Sequence, residues 1–128
     1  MPETRSLFDA IRNGDVAYLE AHKDDAKTAR TEDGSTALHA SAESGFQECA
    51  RVVLEVCAKV GNNNGQTALM VAAQNDHPGC AAVIAKEEHG MTDNSGKTAL
   101  MLSLGTIGQL TYDVLAQYPD EVERLLPE

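Results

Sequence analysis

The chain has 128 residues and a formal net charge of −10, from 20 acidic against 10 basic side chains spread along its length. Counterion release needs a basic surface, so nothing here would draw the chain onto nucleic acid, and an anionic membrane would repel it. No apolar run approaches the ~18 residues of a spanning helix and Met1-Pro2-Glu3-Thr4-Arg5 does not read as a signal peptide, so a soluble cytoplasmic protein is expected, with the nucleus left open.

The first element is a helix through Leu7-Phe8-Asp9-Ala10-Ile11-Arg12, capped by Thr4 or Ser6. Asn13-Gly14-Asp15 turns the chain into a second helix around Val16-Ala17-Tyr18-Leu19, which becomes polar at Glu20, His22, Lys23, Asp24, Asp25 and Lys27. That polarity suits the uncovered end of a stack. The stretch Asp33-Gly34-Ser35-Thr36-Ala37-Leu38-His39 follows. It returns as Asn64-Gly65-Gln66-Thr67-Ala68-Leu69-Met70 and as Ser95-Gly96-Lys97-Thr98-Ala99-Leu100-Met101, each copy 31 residues after the last. Ala29, Val60 and Met91 keep the same interval, as do Cys49 and Cys80. A fixed period of this length is the signature of stacked units that share a core.

Within the second unit Thr36 is placed to cap a short inner helix that Gly45 ends. The outer helix runs from Glu48 to Cys57, with Cys49, Val52, Val53 and Val56 facing inward and Glu48, Arg51 and Glu55 in water. Ala40, Ser41 and Ala42 are small enough for inner helices to approach closely, and Asn62-Asn63-Asn64-Gly65 tolerates left-handed turn conformations. The third unit repeats the plan with Thr67 as cap, Ala72-Ala73 as the small pair and Cys80, Val83 and Ile84 inward. Pro78 stands at the first position of its outer helix, where a missing N–H costs little. The fourth unit is looser. Ser103-Leu104 replaces the small pair, Gly105-Thr106-Ile107-Gly108 replaces the polar turn, and a last helix from Asp120 to Leu126 presents Val122, Leu125 and Leu126 as a closing cap, unless further repeats once followed.

The three copies of T-A-L-[HM] resemble the T-P-L-H-x-A pattern of ankyrin repeats, which Thr36-Ala37-Leu38-His39-Ala40-Ser41 matches best. Alanine stands where the pattern has proline, and the period is about two residues shorter than the usual ~33. The resemblance implies an all-α ankyrin-repeat solenoid of helix-turn-helix pairs with β-turn-like tips. It would be one domain over residues 1–128, with units near 4–32, 33–63, 64–94 and 95–128. It also implies that His39 orders the turn around Thr36, and that a concave face carries the contacts. Carried over position by position, those contacts fall on Arg12, Asn13, Glu32, Asp33, Ser35, Glu43, Ser44, Asn63, Asn64, Gln66, Gln74, Asn75, Asn94, Ser95, Lys97 and Thr106. Turn chemistry accounts equally well for Asp33, Asn62, Asn64 and Ser95. Glu43, Gln74 and Asn75 stand on helices and have no such explanation.

Chemistry finds little material. No nucleophile elbow, H-E-x-x-H or phosphate-cradling loop occurs, so no catalytic residue and no cofactor is expected. Cys49 and Cys80 would lie on neighbouring helices ~8–10 Å apart, beyond the ~7 Å reach of a disulfide. Both read as buried apolar groups, and Cys57 follows at helix spacing with no partner ligand cluster. A lone His39 does not make a zinc site, and His22, His77 and His89 read as surface or turn residues without a role. The turns Asn62-x-Asn64-Gly65 and Asp93-x-Ser95-Gly96 have the look of calcium loops, but Val60 or Met91 and Val71 or Leu102 stand where carboxylates would be needed. A non-catalytic, monomeric module that binds a neutral-to-basic protein is expected. The alternative is the ankyrin portion of a larger regulatory or scaffold protein, packed on the remainder through Leu102, Leu104 and Ile107.

Overall fold

The computed structural model describes residues 7–104 and 108–122, and every regular element among them is a helix. In chain order these are α1 (Leu7–Arg12), α2 (Val16–Ala21), α3 (Lys23–Ala26), α4 (Ala37–Ser44), α5 (Gln47–Cys57), α6 (Ala68–Gln74), α7 (Pro78–Glu88), α8 (Ala99–Ser103), α9 (Gln109–Ala116) and α10 (Pro119–Val122). Helices α1, α4, α6 and α8 form an inner row, each against the next, while α2, α5, α7 and α9 form an outer row. Inner and outer members pair as α1/α2, α4/α5, α6/α7 and α8/α9. Side chains from all four pairs join one continuous core, from Leu7 and Ile11 through Leu38, Leu69 and Ile84 to Leu100 and Leu115. No unit could bury its apolar side alone.

The inner row can stack closely because its contact surface is almost all alanine and serine. Ala37, Ala42, Ala68, Ala72, Ala73 and Ala99 are fully or almost fully buried. Ser41 and Ser103 are buried as well, each donating its hydroxyl to the carbonyl four residues back, Ala37 at 2.9 Å and Ala99 at 2.8 Å. Each inner helix after the first begins at the expected threonine. Thr36 Oγ1 accepts from Leu38 and His39 N–H, Thr67 Oγ1 from Met70 N–H, and Thr98 Oγ1 from Met101 N–H. For α1 the expected caps Thr4 and Ser6 lie outside the described residues.

His39 completes the first of these caps. Its Nδ1 accepts the Thr36 N–H at 3.1 Å and its Nε2 reaches the Gln66 carbonyl at 2.7 Å, which ties one unit to the next. Burial holds this imidazole below its ordinary pKa, so it stays neutral with the proton on Nε2. In the following unit the Met70 thioether takes the same place and accepts the Thr67 N–H at 3.4 Å.

A feature the sequence did not announce closes α6 and α8 from the far side. Glu88, 1% exposed, ends α7 and turns its carboxylate under the start of α6. One oxygen accepts Leu69 N–H at 2.9 Å, and the other accepts Lys59 N–H from the end of the preceding unit at 2.8 Å. Glu121 repeats the bond set one unit on, accepting Leu100 N–H at 2.9 Å and Gly90 N–H at 2.7 Å. Cys57 occupies the equivalent place earlier in the stack, its thiol 3.5 Å from the Ala26 carbonyl. These carboxyls clamp three segments of chain each, and burial raises their pKa above the ordinary glutamate value despite the N–H donors around them.

The turns correct the sequence reading in detail. The left-handed residues outside glycine are Lys59 and Asp76, and Asn62, Asn63 and Asn64 are not among them. Asp76 stands where the earlier units have Gly14 and Gly45. Its carboxylate accepts Gly108 N–H at 3.0 Å and the Thr111 hydroxyl at 2.7 Å, and so caps α9, whose own N-cap is a glycine without a side chain. In α5 the fully buried stripe is Cys49, Ala50, Val53 and Cys57, and Val52 and Val56 are only partly covered. The outer helix of the first unit breaks at His22 into α2 and α3.

The closing helix is also placed differently. Its described part is Pro119–Val122 against α8 and α9, and Leu125 and Leu126 lie outside the described residues. Its anchor is the buried Glu121 carboxyl, with Val122 only packed against the core. The three cysteines are free and buried, as expected for Cys49 and Cys80, and burial pushes the Cys80 thiol up to about 11. Among the described residues no helix is long and apolar enough to cross a membrane, and no cluster of His, Cys, Asp and Glu could hold a metal ion.

Candidate functional site

The tips that precede each inner helix are three copies of one hydrogen-bonded turn. Thr31, Asn62 and Asp93 each accept the N–H of the glycine three residues on and donate their own N–H to the carbonyl four residues on. Asn62 Oδ1 also accepts Asn64 and Gln66 N–H, as Asp93 Oδ1 accepts Ser95 and Lys97 N–H, the Asx geometry that favours these residue types in turns. In the first tip Thr31 Oγ1 and Asp33 Oδ1 share the work, bonded to each other and both to Ser35 N–H. Those bonds, led by the Thr31 hydroxyl, keep the Asp33 carboxyl below its ordinary pKa.

Neighbouring tips are laced together. Asn63 N–H donates to the Asp33 carbonyl at 2.8 Å and its side-chain amide to the Glu32 carbonyl at 3.3 Å. One unit on, Asn94 repeats both bonds, to the carbonyls of Asn64 at 3.2 Å and Asn63 at 3.4 Å. Gly65 must be glycine between them. Its φ is +77°, and an added Cβ would run into the Asn94 side chain and lie 2.8 Å from the Asn94 nitrogen.

Below the tips, along the inner row, lies a groove of about 570 Å³ centred on α4. Seven of the expected contact residues line it: Arg12, Glu32, Asp33, Ser35, Glu43, Ser44 and Gln66. Their neighbours are Thr31 and Asn62 from the turns, His39, and a floor of Phe8, Ala40 and Val71. The floor was not anticipated, although Phe8 stands 31 residues before His39, an interval that puts both on the same face of the inner row.

The other expected residues lie outside this groove. Asn13, Asn64, Ser95 and Lys97 are exposed, and Gln74 is exposed at the end of α6. Asn75 is also exposed, but its side-chain amide folds back on the Val71 carbonyl at 2.9 Å. Asn63 and Asn94 hold the tips together, and Thr106 lies outside the described residues. The three histidines assigned no role all have partners, His22 Nδ1 sitting 2.8 Å from the Tyr18 carbonyl with its ring stacked on that of Tyr18. His77 Nε2 sits 3.2 Å from the Glu43 carbonyl, and His89 Nδ1 sits 2.8 Å from Asp120 with its ring stacked on Tyr118.

Arg12 bonds Asp9 at 2.7 Å, whereas the side chains of Glu32 and Glu43 make no hydrogen bond or ion pair to any described residue. The groove thus offers a partly apolar floor, two uncommitted carboxylates and several turn hydroxyls and amides. That is binding material.

No curated protein matches the chain at a significant level. A family model described as ankyrin repeats (3 copies) matches residues 7–91 and, overlapping, residues 60–117. Such repeats generally mediate protein–protein interactions and are typically non-catalytic. With the matched segments running over most of the chain and the threonine-capped helix pairs stacked as described, this chain belongs to the ankyrin-repeat family.

Proposed function

We propose that residues 1–128 act as one non-catalytic interaction domain, monomeric and cytoplasmic, whose concave face binds a neutral-to-basic segment of another protein. The observation that carries this reading is the groove over α4, where Glu32 and Glu43 stand without partners among the described residues, beside the half-buried Phe8, Ala40 and Val71. Apolar floor supplies affinity and rim charge supplies orientation and encounter rate. The partner crosses units two and three, touching Glu43 and Gln74, which occupy equivalent places on α4 and α6.

The test is to recover partners on the intact chain and measure association of the best one with two variants. Glu43→Lys should slow association and flatten its dependence on ionic strength. Arg51→Ala on the outer row should change neither. Equal behaviour of the two variants would contradict the reading.

A second reading is favoured by one observation, the apolar exposure at the last helix pair. Leu110 is 69% exposed and Leu104 47% exposed. On this reading the domain is part of a larger regulatory or scaffold protein and packs on the remainder through Leu102 and Leu104. Ile107, the third residue of that surface, lies outside the described residues. Partner loss on Leu104→Ser, with the Glu43 and Gln74 variants unaffected, would favour it.

A further inference from the structure

The charged groups that face the groove are not equivalent. Asp33 is committed to Thr31 and Ser35, and His39 spends its one N–H on the Gln66 carbonyl. Arg12, the one lysine or arginine among the described residues of the lining, is bonded to Asp9 at 2.7 Å. Glu43 has no such tie to any described residue. It stands in the last turn of α4, where the negative end of the helix dipole already favours a cation. Its own backbone carbonyl is engaged by His77.

Phe8 lines the same groove from α1 and is only partly buried. Its position matches that of His39 on the next inner helix, and Glu43 lies four residues further along, about 6 Å at 1.5 Å per residue. A planar guanidinium can lie over an aromatic face and also meet a carboxylate with two parallel N–H groups, which an ammonium cannot do. Ala40, between the two levels, has no bulk to obstruct a side chain lying along the groove.

Resting on the concave-face reading above, we propose that the groove bounded by Phe8, Ala40 and Glu43 is the seat for an arginine side chain of the partner protein. The guanidinium pairs with Glu43 and its plane rests against the Phe8 ring. Arg12 opposes it as the like charge in the same lining.

The experiment uses the intact chain, ¹⁵N-labelled, titrated with N-acetylarginine methylamide, with its neutral isostere N-acetylcitrulline methylamide, and with N-acetyllysine methylamide. The arginine probe should give saturable amide shifts at Ala40, Glu43 and Ser44, with a dissociation constant on the order of millimolar. The citrulline probe, and the arginine probe on Glu43→Gln, should bind about three- to fivefold more weakly, the range of an exposed ion pair. Arg12→Gln should tighten the arginine probe by about twofold. Phe8→Leu should weaken the arginine probe more than the lysine probe, and its amide spectrum reports whether the fold is kept.

Equal binding of the citrulline probe overturns the proposal. So does an equal loss on Glu48→Gln of the outer row, because that would mean diffuse attraction of a cation to an acidic chain. If bulky variants at Gln74, on the same face beyond the groove, lose a protein partner while Glu43→Gln leaves the arginine probe unchanged, the arginine seat is wrong and the concave-face reading stands. If the partner ignores the groove variants, the concave-face reading falls and the seat falls with it.

Discussion

Thr36 and Thr67 do the same job with different help, and the difference can be measured. Thr67→Ala removes one cap acceptor and should lower stability by about 1 kcal/mol, read from the urea midpoint. Thr36→Ala also strips the hydroxyl 2.9 Å from the His39 Nδ1 and should cost more, toward the ~2 kcal/mol upper end for cap loss. An unchanged midpoint for Thr67→Ala would mean that the inner helix does not depend on its cap. Glu88 titrates in the opposite sense to most structural carboxylates. Its folded pKa lies above the ordinary 4.5, so its share of stability is fully present below that value and is lost as pH rises through the folded value. Glu88→Gln has no such titration. The stability gap between the wild type and Glu88→Gln should therefore be wider near pH 4.5 than at pH 7. A gap that widens as pH rises would mean that the Leu69 and Lys59 N–H bonds outweigh burial.

At the level of elements, the lacing of the tips separates two glycines of equal backbone conformation. Gly65 and Gly96 have φ of +77° and +81°, but a Cβ at Gly65 meets Asn94 whereas one at Gly96 meets nothing within 4 Å. Both alanine variants carry the left-handed strain of ~1–2 kcal/mol. Gly65→Ala should cost about 1 kcal/mol more, what one displaced inter-tip hydrogen bond is worth. Equal midpoints would show that the Asn94 bonds contribute nothing. The inner helices, their threonine caps and the small-residue faces were legible in the sequence because each depends on contacts within a few residues, repeated at a fixed interval. What was not legible depends on pairs far apart in the chain. Glu88 and Glu121 look like ordinary polar residues ending a helix, and only the stack shows that they reach Leu69 and Leu100. Asp76 breaks the glycine pattern of the turns, and its reason lies 32 and 35 residues away at Gly108 and Thr111.

Across the whole molecule, charge and shape change along one row of equivalent positions. Arg12, Glu43 and Gln74 occupy the same place on α1, α4 and α6, and the tips run from Glu32 and Asp33 through Asn63 and Asn64 to Asn94 and Ser95. The groove could be anticipated in outline because the period fixes which residues share a face. It was blurred in detail because asparagines that looked free for a partner are used between tips, and because the Phe8 floor comes from a unit that lacks the T-A-L motif. On the proposed reading a protein partner lies across this face at Glu43 and Gln74. The most direct measurement is the dissociation rate of the recovered partner from Gln74→Trp, beside an Arg51→Ala and Lys86→Ala control on the outer row. Gln74 is exposed, so the variant should melt within a few degrees of wild type. Dissociation should be at least about tenfold faster, the effect of ~1.4 kcal/mol, with the control unchanged. A dissociation rate unaltered by Gln74→Trp, in a protein that still melts normally, would contradict that reading.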